Sequence, residues 1–167
     1  LARALQLCRE ELYCKPERIL SEAEKSISRD LIDRRVRREP VAYILGRKEF
    51  WSLDFQITPD VFIPRPETEM LIETLFSLND ETPTGQSLHL LEIGTGSGII
   101  AVIAAREIAN CQVTATDNSP EALAVARTNA ETHGVSDKIN FFQCDIFTGV
   151  PEAPYDFIVS NPPYIQT

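Results

Sequence analysis

Four consecutive residues, Asn161-Pro162-Pro163-Tyr164, follow directly on the apolar run at 155–160 and are the part of this chain best suited to chemistry. Each proline holds φ at about −65° and lacks an N–H, and a residue that precedes proline is held extended. The side-chain oxygen of Asn161 and the carbonyl oxygen of Pro162 are therefore expected to face outward as two acceptors with little freedom to collapse. The aromatic face of Tyr164 beside them suits a planar amide or a base. Together these residues make a stiff pocket for one planar –NH2 group. A nitrogen held in that way needs an electrophile.

Residues Glu92-Ile93-Gly94-Thr95-Gly96-Ser97-Gly98 offer a place for one. An apolar strand at 88–91 leads in and an apolar helix at 99–105 leads out, the opening βα unit of a doubly wound sheet. Alternating glycines let backbone approach a ligand where any Cβ would collide. The dinucleotide fingerprint is G-x-G-x-x-G with a pyrophosphate on the helix N-terminus. Here the spacing is G-x-G-x-G, with an acid two residues before the first glycine. That departure suits a ligand without a pyrophosphate but with a cationic amino-acid end, for which the Glu92 carboxylate is a suitable neighbour.

The elements that must position these residues follow in order. A second strand at 113–117 ends in Asp117, placed to accept ribose hydroxyls. Ser119 as N-cap and Pro120 at the first helical position start the next helix, which turns Ala122, Leu123, Val125, Ala126 and Ala130 inward and stops at Gly134. A third strand at 139–144 ends in Asp145, an acceptor for an exocyclic amine, with Ile146 and Phe147 as apolar wall. A fourth, at 155–160, delivers Asn161. The four strands are expected to pair in the order 3-2-1-4, with Glu92, Asp117, Asp145 and Asn161 all at their carboxyl ends.

This set resembles the S-adenosylmethionine-dependent class I methyltransferases, and within them the glutamine-N5 methyltransferases that modify peptide-chain release factors. The resemblance spans nearly the whole chain. It rests on Ile63-Pro64-Arg65-Pro66-Glu67-Thr68-Glu69, on residues 92–98, on Asp117 and on Asn161 to Tyr164. It implies S-adenosyl-L-methionine as cofactor, held by Gly94, Thr95, Gly96, Ser97, Gly98 and Asp117, with Asp145, Ile146 and Asn161 completing the site. It implies that Asn161, Pro162 and Tyr164 are catalytic and that Asn161, Pro162, Pro163 and Tyr164 hold the substrate glutamine. Arg65, Thr68 and Glu69 cap a helix on their own reading, and by resemblance also roof the cofactor. Many such enzymes carry a tryptophan where Ile146 stands, a departure at the adenine wall that Phe147 can share. Two other acceptors remain open, a ribosomal-protein glutamine and an amino group on a DNA or RNA base.

Charge separates those alternatives. The net charge of −9 divides into +3 over residues 1–50 and −12 over residues 51–167. Phosphate attraction is the main sequence-independent term in nucleic-acid affinity, so a half this acidic favours a protein substrate. Cys8, Cys14, Cys111 and Cys144 show neither C-x-x-C nor histidine-paired spacing and read as reduced thiols of a cytoplasmic protein. His89 and His133 form no ligand pattern, so no metal is expected. The longest apolar run, 99–105, falls far short of the ~20 residues of a membrane span. A monomer is expected.

The fold class is thus α/β, a doubly wound Rossmann-like methyltransferase sheet preceded by a small helical domain and a β-hairpin linker. Residues 1–40 read as a helical, substrate-docking domain, 41–64 as the linker and 65–167 as the methyltransferase core. In the first, Leu1, Leu5, Cys8 and Leu12 form one stripe. Ser21-Glu22-Ala23-Glu24 opens a helix with Leu31, Ile32 and Val36 inward that Pro40 closes. The basic cluster at 34–38 is a solvated face or a docking patch for an acidic surface. Residues 41–46, 50–55 and 61–63 read as β-rich stretches. Residues 67–78 read as a helix with Met70, Leu71, Thr74, Leu75 and Leu78 inward, followed by a polar loop at 79–86. The sheet of such enzymes has seven strands, so three more are expected beyond Thr167, and this segment alone is expected to be weak or inactive.

Overall fold

A computed structural model of the chain describes residues 2–14, 17–80 and 87–162. Pro163 and Tyr164 lie outside the described residues, as do residues 81–86 of the expected polar loop. The chain divides into two compact units, Leu1–Gly46 and Arg47–Thr167.

The first unit is helical. Two short helices, Ala2–Leu5 (α1) and Arg9–Cys14 (α2), replace the single expected stripe, because Gln6 takes a left-handed φ of 51° between them. Leu5 is buried and Cys8 exposed. Glu22–Val36 (α3) begins with the expected capping box: Ser21 Oγ accepts from the Glu24 N–H at 3.2 Å, and Glu24 Oε2 accepts from the Ser21 N–H at 2.8 Å. Its inward face runs through Ser28, Leu31 and Arg34. Leu31 is thus turned inward as expected, whereas Ile32 and Val36, also expected inward, are exposed. The helix also stops before Pro40. Arg38 turns left-handed at φ 67°, and Arg34 doubles back to pair with Glu39 through both Nε and Nη2. Pro40 instead opens Val41–Leu45 (α4), its carbonyl accepting from both Tyr43 and Ile44 N–H groups. Residues 41–46, expected to be extended, are therefore helical, and Gly46 closes the turn at φ 70°.

The second unit carries the sheet. Arg47–Phe50 (β1) and Leu53–Gln56 (β2) form an antiparallel hairpin in which Phe50 faces Leu53. Phe55, Ile57 and Val61 root it in the core. Thr68–Asp80 (α5) follows, with Thr68, Ile72 and Leu75 buried. In that i, i+4, i+7 stripe Leu75 is inward as expected, but Met70, Thr74 and Leu78, also expected inward, are exposed.

Leu88–Ile93 (β3), Cys111–Asp117 (β4), Ile139–Gln143 (β5) and Phe157–Ser160 (β6) make one parallel sheet in the order β5-β4-β3-β6, the order expected from sequence. Ile99–Glu107 (α6) joins β3 to β4 and is buried from Ile99 through Ala105, as a helix apolar on all sides must be. Pro120–Thr132 (α7) joins β4 towards β5 and starts as expected, with Ser119 Oγ accepting from the Ala122 N–H at 3.0 Å. Because β3 has β4 on one side and β6 on the other, the chain reverses direction of travel across the sheet beside β3. In open α/β sheets a ligand crevice forms at that reversal, outside the strand carboxyl ends.

Candidate functional site

The turn between β3 and α6 is where that crevice opens, and its three glycines do different work. All have left-handed φ: 73° at Gly94, 55° at Gly96 and 78° at Gly98. A Cβ placed on Gly94 or Gly96 would meet no atom within 4 Å, so both present bare backbone to open space. Gly98 is buried, and a Cβ there would lie 2.9 Å from the Ala126 Cβ of α7. Two glycines thus form a cradle, and the third lets two helices close.

Between them the side chains of Thr95 and Ser97 are buried. The Thr95 hydroxyl donates to Glu92 Oε2 at 2.7 Å and its N–H donates to the Thr116 carbonyl at 2.8 Å. Thr95 thus holds the turn together through its hydroxyl, its N–H and its carbonyl, which accepts from the Gly98 N–H at 2.8 Å.

Glu92 is 1% exposed, and its Oε2 also accepts from the Ala101 N–H in the first turn of α6, at 3.0 Å. Sequence placed this carboxylate beside a ligand cation; its Oε2 is instead spent on tying strand, glycine turn and helix together. The Glu92 carboxyl thus takes up one of the N–H groups that the first turn of α6 leaves without a helical partner. Burial pushes its pKa up to about 8, with the two hydrogen bonds opposing and the charge of Asp117 adding to the rise.

Asp117, at the end of β4, is half-buried and aimed at the same turn. Its Oδ2 accepts from the Gly96 N–H at 2.9 Å and its Oδ1 from the Ser119 N–H at 3.0 Å. A carboxylate oxygen has room for more than one donor, so both oxygens are oriented yet can still accept hydroxyls. One strand further along the edge, after β5, Asp145 is exposed and its carbonyl closes a tight turn with the Thr148 N–H at 2.8 Å. The next residue, Ile146, holds φ at 52°, a strained setting for a β-branched side chain. Ile146 and Phe147 both stand exposed.

Asn161 and Pro162 follow β6 directly, and Ser160 Oγ donates to the Ile93 carbonyl at 2.9 Å, locking the end of β6 to the end of β3. Asn161 Nδ2 donates to Thr68 Oγ1 at 2.8 Å. The glycine turn, Asp117, Asp145 and Asn161 thus share the carboxyl edge of one sheet. Pro163 and Tyr164 are outside the described residues.

One residue of this site was missed by sequence reasoning. Asn129 of α7 is 1% exposed and fully engaged. Its Oδ1 accepts from the Gln56 N–H at 2.7 Å, and its Nδ2 donates to the carbonyls of Gln56 at 3.1 Å and Ser97 at 2.8 Å. It straps the hairpin to the glycine turn. The signal was present: Asn129 falls on the same face as Val125 and Ala126, and a polar side chain on a buried face needs partners.

The fold and the arrangement of this edge define the class I, Rossmann-like methyltransferase core. The family model described as Methyltransferase small domain matches residues 65–167, and that described as PrmC N-terminal domain matches residues 1–46. A protein of Coxiella burnetii named release factor glutamine methyltransferase is 42% identical over 161 residues, covering 96% of this chain and 57% of the relative. One of the same name from Geobacter sulfurreducens is 41% identical over 167 residues, covering 100% and 56%. The chain spans about half the length of the curated relatives it matches. Among solved structures, the ribosomal protein L11 methylase of Lactobacillus delbrueckii subsp. bulgaricus aligns with 64% of this chain and 51% of its own, at 29% identity and a TM-score of 0.50. The chain belongs to the methyltransferase small domain family.

Proposed function

We propose that this chain carries the cofactor cradle and the amide-recognising end of a cytoplasmic enzyme that methylates the side-chain nitrogen of the glutamine in the Gly-Gly-Gln loop of peptide-chain release factors. The observation that carries the reading is the shared strand edge: Asn161-Pro162 stands beside the end of β3, whose glycine turn is tied to Asp117. S-adenosylmethionine fits that edge. Gly94 and Gly96 leave open space where a Cβ would intrude, Asp117 keeps acceptor capacity for ribose hydroxyls, and Ile146 and Phe147 offer apolar surface to a base. When bound, this cofactor supplies an electrophilic methyl on a sulfonium.

The chain's own residues then have to make a poor nucleophile competent. A carboxamide nitrogen is unreactive because its lone pair is delocalised into the carbonyl. In our reading Asn161 Oδ1 and the Pro162 carbonyl accept its two N–H groups, which favours a more tetrahedral nitrogen and aims the freed lone pair. Orientation of this kind is worth up to roughly 7–11 kcal/mol of a barrier, and fixed acceptors add to it without reorganising. No base is required before attack, and the proton leaves afterwards.

The acidic balance of residues 51–167 supports a protein substrate acting without direct nucleic-acid contact. Among the described residues no helix is long and apolar enough to cross a membrane. A monomer remains our expectation. The test incubates the full-length protein with S-adenosylmethionine and purified release factor, and reads peptide masses. One added methyl on the Gly-Gly-Gln glutamine, absent from Asn161→Ala, is the expected result. Incorporation into a ribosomal protein or a tRNA and DNA pool instead would overturn the release-factor reading.

A further inference from the structure

Asn161 can serve a planar –NH2 group only with its oxygen, not its own amide nitrogen, turned towards the substrate. The two ends of an asparagine amide exchange places on a half-turn of χ2, and the wrong one sets donor against donor. A threonine hydroxyl can accept from the NH2 end or donate to the oxygen end, and here it accepts. Asn161 Nδ2 donates to Thr68 Oγ1 at 2.8 Å, across 93 positions of chain. Thr68 is 5% exposed, so little water competes for that hydroxyl.

The segment that carries Thr68 is built to present it. Pro64 and Pro66 hold their φ angles, and three successive tight bonds follow, from the N–H groups of Thr68, Glu69 and Met70 to the carbonyls of Arg65, Pro66 and Glu67, at 3.0, 3.0 and 3.2 Å. They wind the entry to α5 so that Thr68 starts its buried stripe, with Ile72 and Leu75 as the next members. Arg65, Glu67 and Glu69 fall on the exposed side of the same turn.

We infer that Thr68 is a positioning residue for the methyl-transfer site, its hydroxyl holding the Asn161 amide in the rotamer that turns Oδ1 towards the substrate. The inference rests on the proposed amide methylation and deepens it. It assigns the Ile63-Pro64-Arg65-Pro66-Glu67-Thr68-Glu69 run a task distinct from capping α5 or covering the cofactor.

The test compares Thr68→Val, which keeps shape and loses the hydroxyl, with Thr68→Ser, which keeps the hydroxyl, in the full-length protein. Thr68→Val is expected to lower kcat by roughly tenfold, the scale of one orienting hydrogen bond, with S-adenosylmethionine affinity within about twofold of the parent. Thr68→Ser is expected to keep at least about a third of kcat, and loss of most of its activity would overturn the inference even if the valine protein fails to fold. Full activity in Thr68→Val, or equal loss in both variants, overturns the inference. A second readout needs no substrate. The Asn161 side-chain NH2 protons, assigned by NMR, should shift and exchange faster in Thr68→Val and stay near the parent values in Thr68→Ser. Unchanged NH2 signals in Thr68→Val also overturn the inference. A parent protein that methylates no release factor, yet shows this NMR difference, would instead count against the proposed substrate alone.

Discussion

Gly98 and Ala126 face each other so closely that a methyl group on Gly98 would sit 2.9 Å from the Ala126 Cβ and 3.1 Å from its Cα. The third glycine of the β3–α6 turn is thus a helix-packing residue, whereas Gly94 and Gly96 face open space. Alanine substitutions should separate the two roles. Gly98→Ala combines a left-handed φ with overpacking against backbone and is expected to cost about 2–4 kcal/mol of stability. Gly94→Ala and Gly96→Ala carry only the backbone strain, about 1–2 kcal/mol each, but should weaken S-adenosylmethionine binding more than their stability loss implies. Urea unfolding beside calorimetric titration of the cofactor reads both. Equal stability loss at all three positions would contradict the division.

Glu92 links stability to pH. Its folded pKa, about 8, lies above the ordinary 4.5, so the folded chain holds this proton more tightly than the unfolded chain does. The stabilisation it contributes is complete below the unfolded value and is lost as pH rises through about 8. Glu92→Gln imitates the neutral carboxyl and can still accept from Thr95 and Ala101. Relative to the parent, the variant should gain stability between about pH 5 and pH 9. Thermal unfolding of the two proteins across that range checks the sign. A parent that gains on the variant with rising pH would show the carboxylate to be the favoured form.

Asn129 makes all three of its hydrogen bonds to backbone, so no single replacement can satisfy the groups it leaves. Asn129→Ala should cost about 3–5 kcal/mol, from two carbonyls and one N–H losing a buried partner. Asn129→Asp keeps the acceptor for Gln56 N–H but turns an anion towards two carbonyls, and should be at least as damaging at neutral pH. Denaturant midpoints decide it. Loss below about 1 kcal/mol in both would mean that the hairpin and turn are not strapped together there.

These positions also mark how far the amino-acid sequence by itself carries the fold and the site. Sheet order was legible because four apolar runs each ended in a polar residue and were separated by helix or turn signals. The carboxyl edge then gathered Gly94, Asp117, Asp145 and Asn161 with no further information. Phase was harder. In α5 the expected inward set of Met70, Leu71, Thr74, Leu75 and Leu78 placed Leu75 correctly, but only tertiary packing could bring Thr68 and Ile72 inward and leave Met70, Thr74 and Leu78 exposed. At 41–46 an alternating pattern lost to the carbonyl of Pro40, which nucleates a turn of helix. Glu92 looked like a ligand group because sequence cannot show that Thr95 and Ala101 have already taken its oxygen.

The hairpin turn is a further test of strain against packing. Trp51 and Ser52, its two central residues, have φ of 53° and 58°, the setting that favours Asn-Gly in two-residue hairpins. Ser52→Gly should stabilise the protein by about 0.5–1 kcal/mol by removing that strain. Trp51→Gly relieves the same strain but loses an edge-on ring contact with Phe76, 5.7 Å between centroids, and should be a net loss. Opposite signs of the change in Tm for the two variants are expected.

Ile146 sets strain against binding instead. A β-branched residue at φ 52° costs about 1–2 kcal/mol, and Ile146 is mostly solvent-exposed, so little burial offsets that cost. Strain persists where a site uses it, and the use proposed for this side chain is to wall an adenine. Ile146→Gly should therefore raise the Tm of the cofactor-free protein while weakening S-adenosylmethionine binding by roughly tenfold, the scale of one lost apolar wall. Ile146→Asn, which tolerates the same backbone, should match glycine in weakening the cofactor and gain part of its stability. Calorimetric titration beside thermal unfolding resolves the trade. Tighter cofactor binding in the glycine variant would mean that the strain impedes the site and that the adenine is held elsewhere.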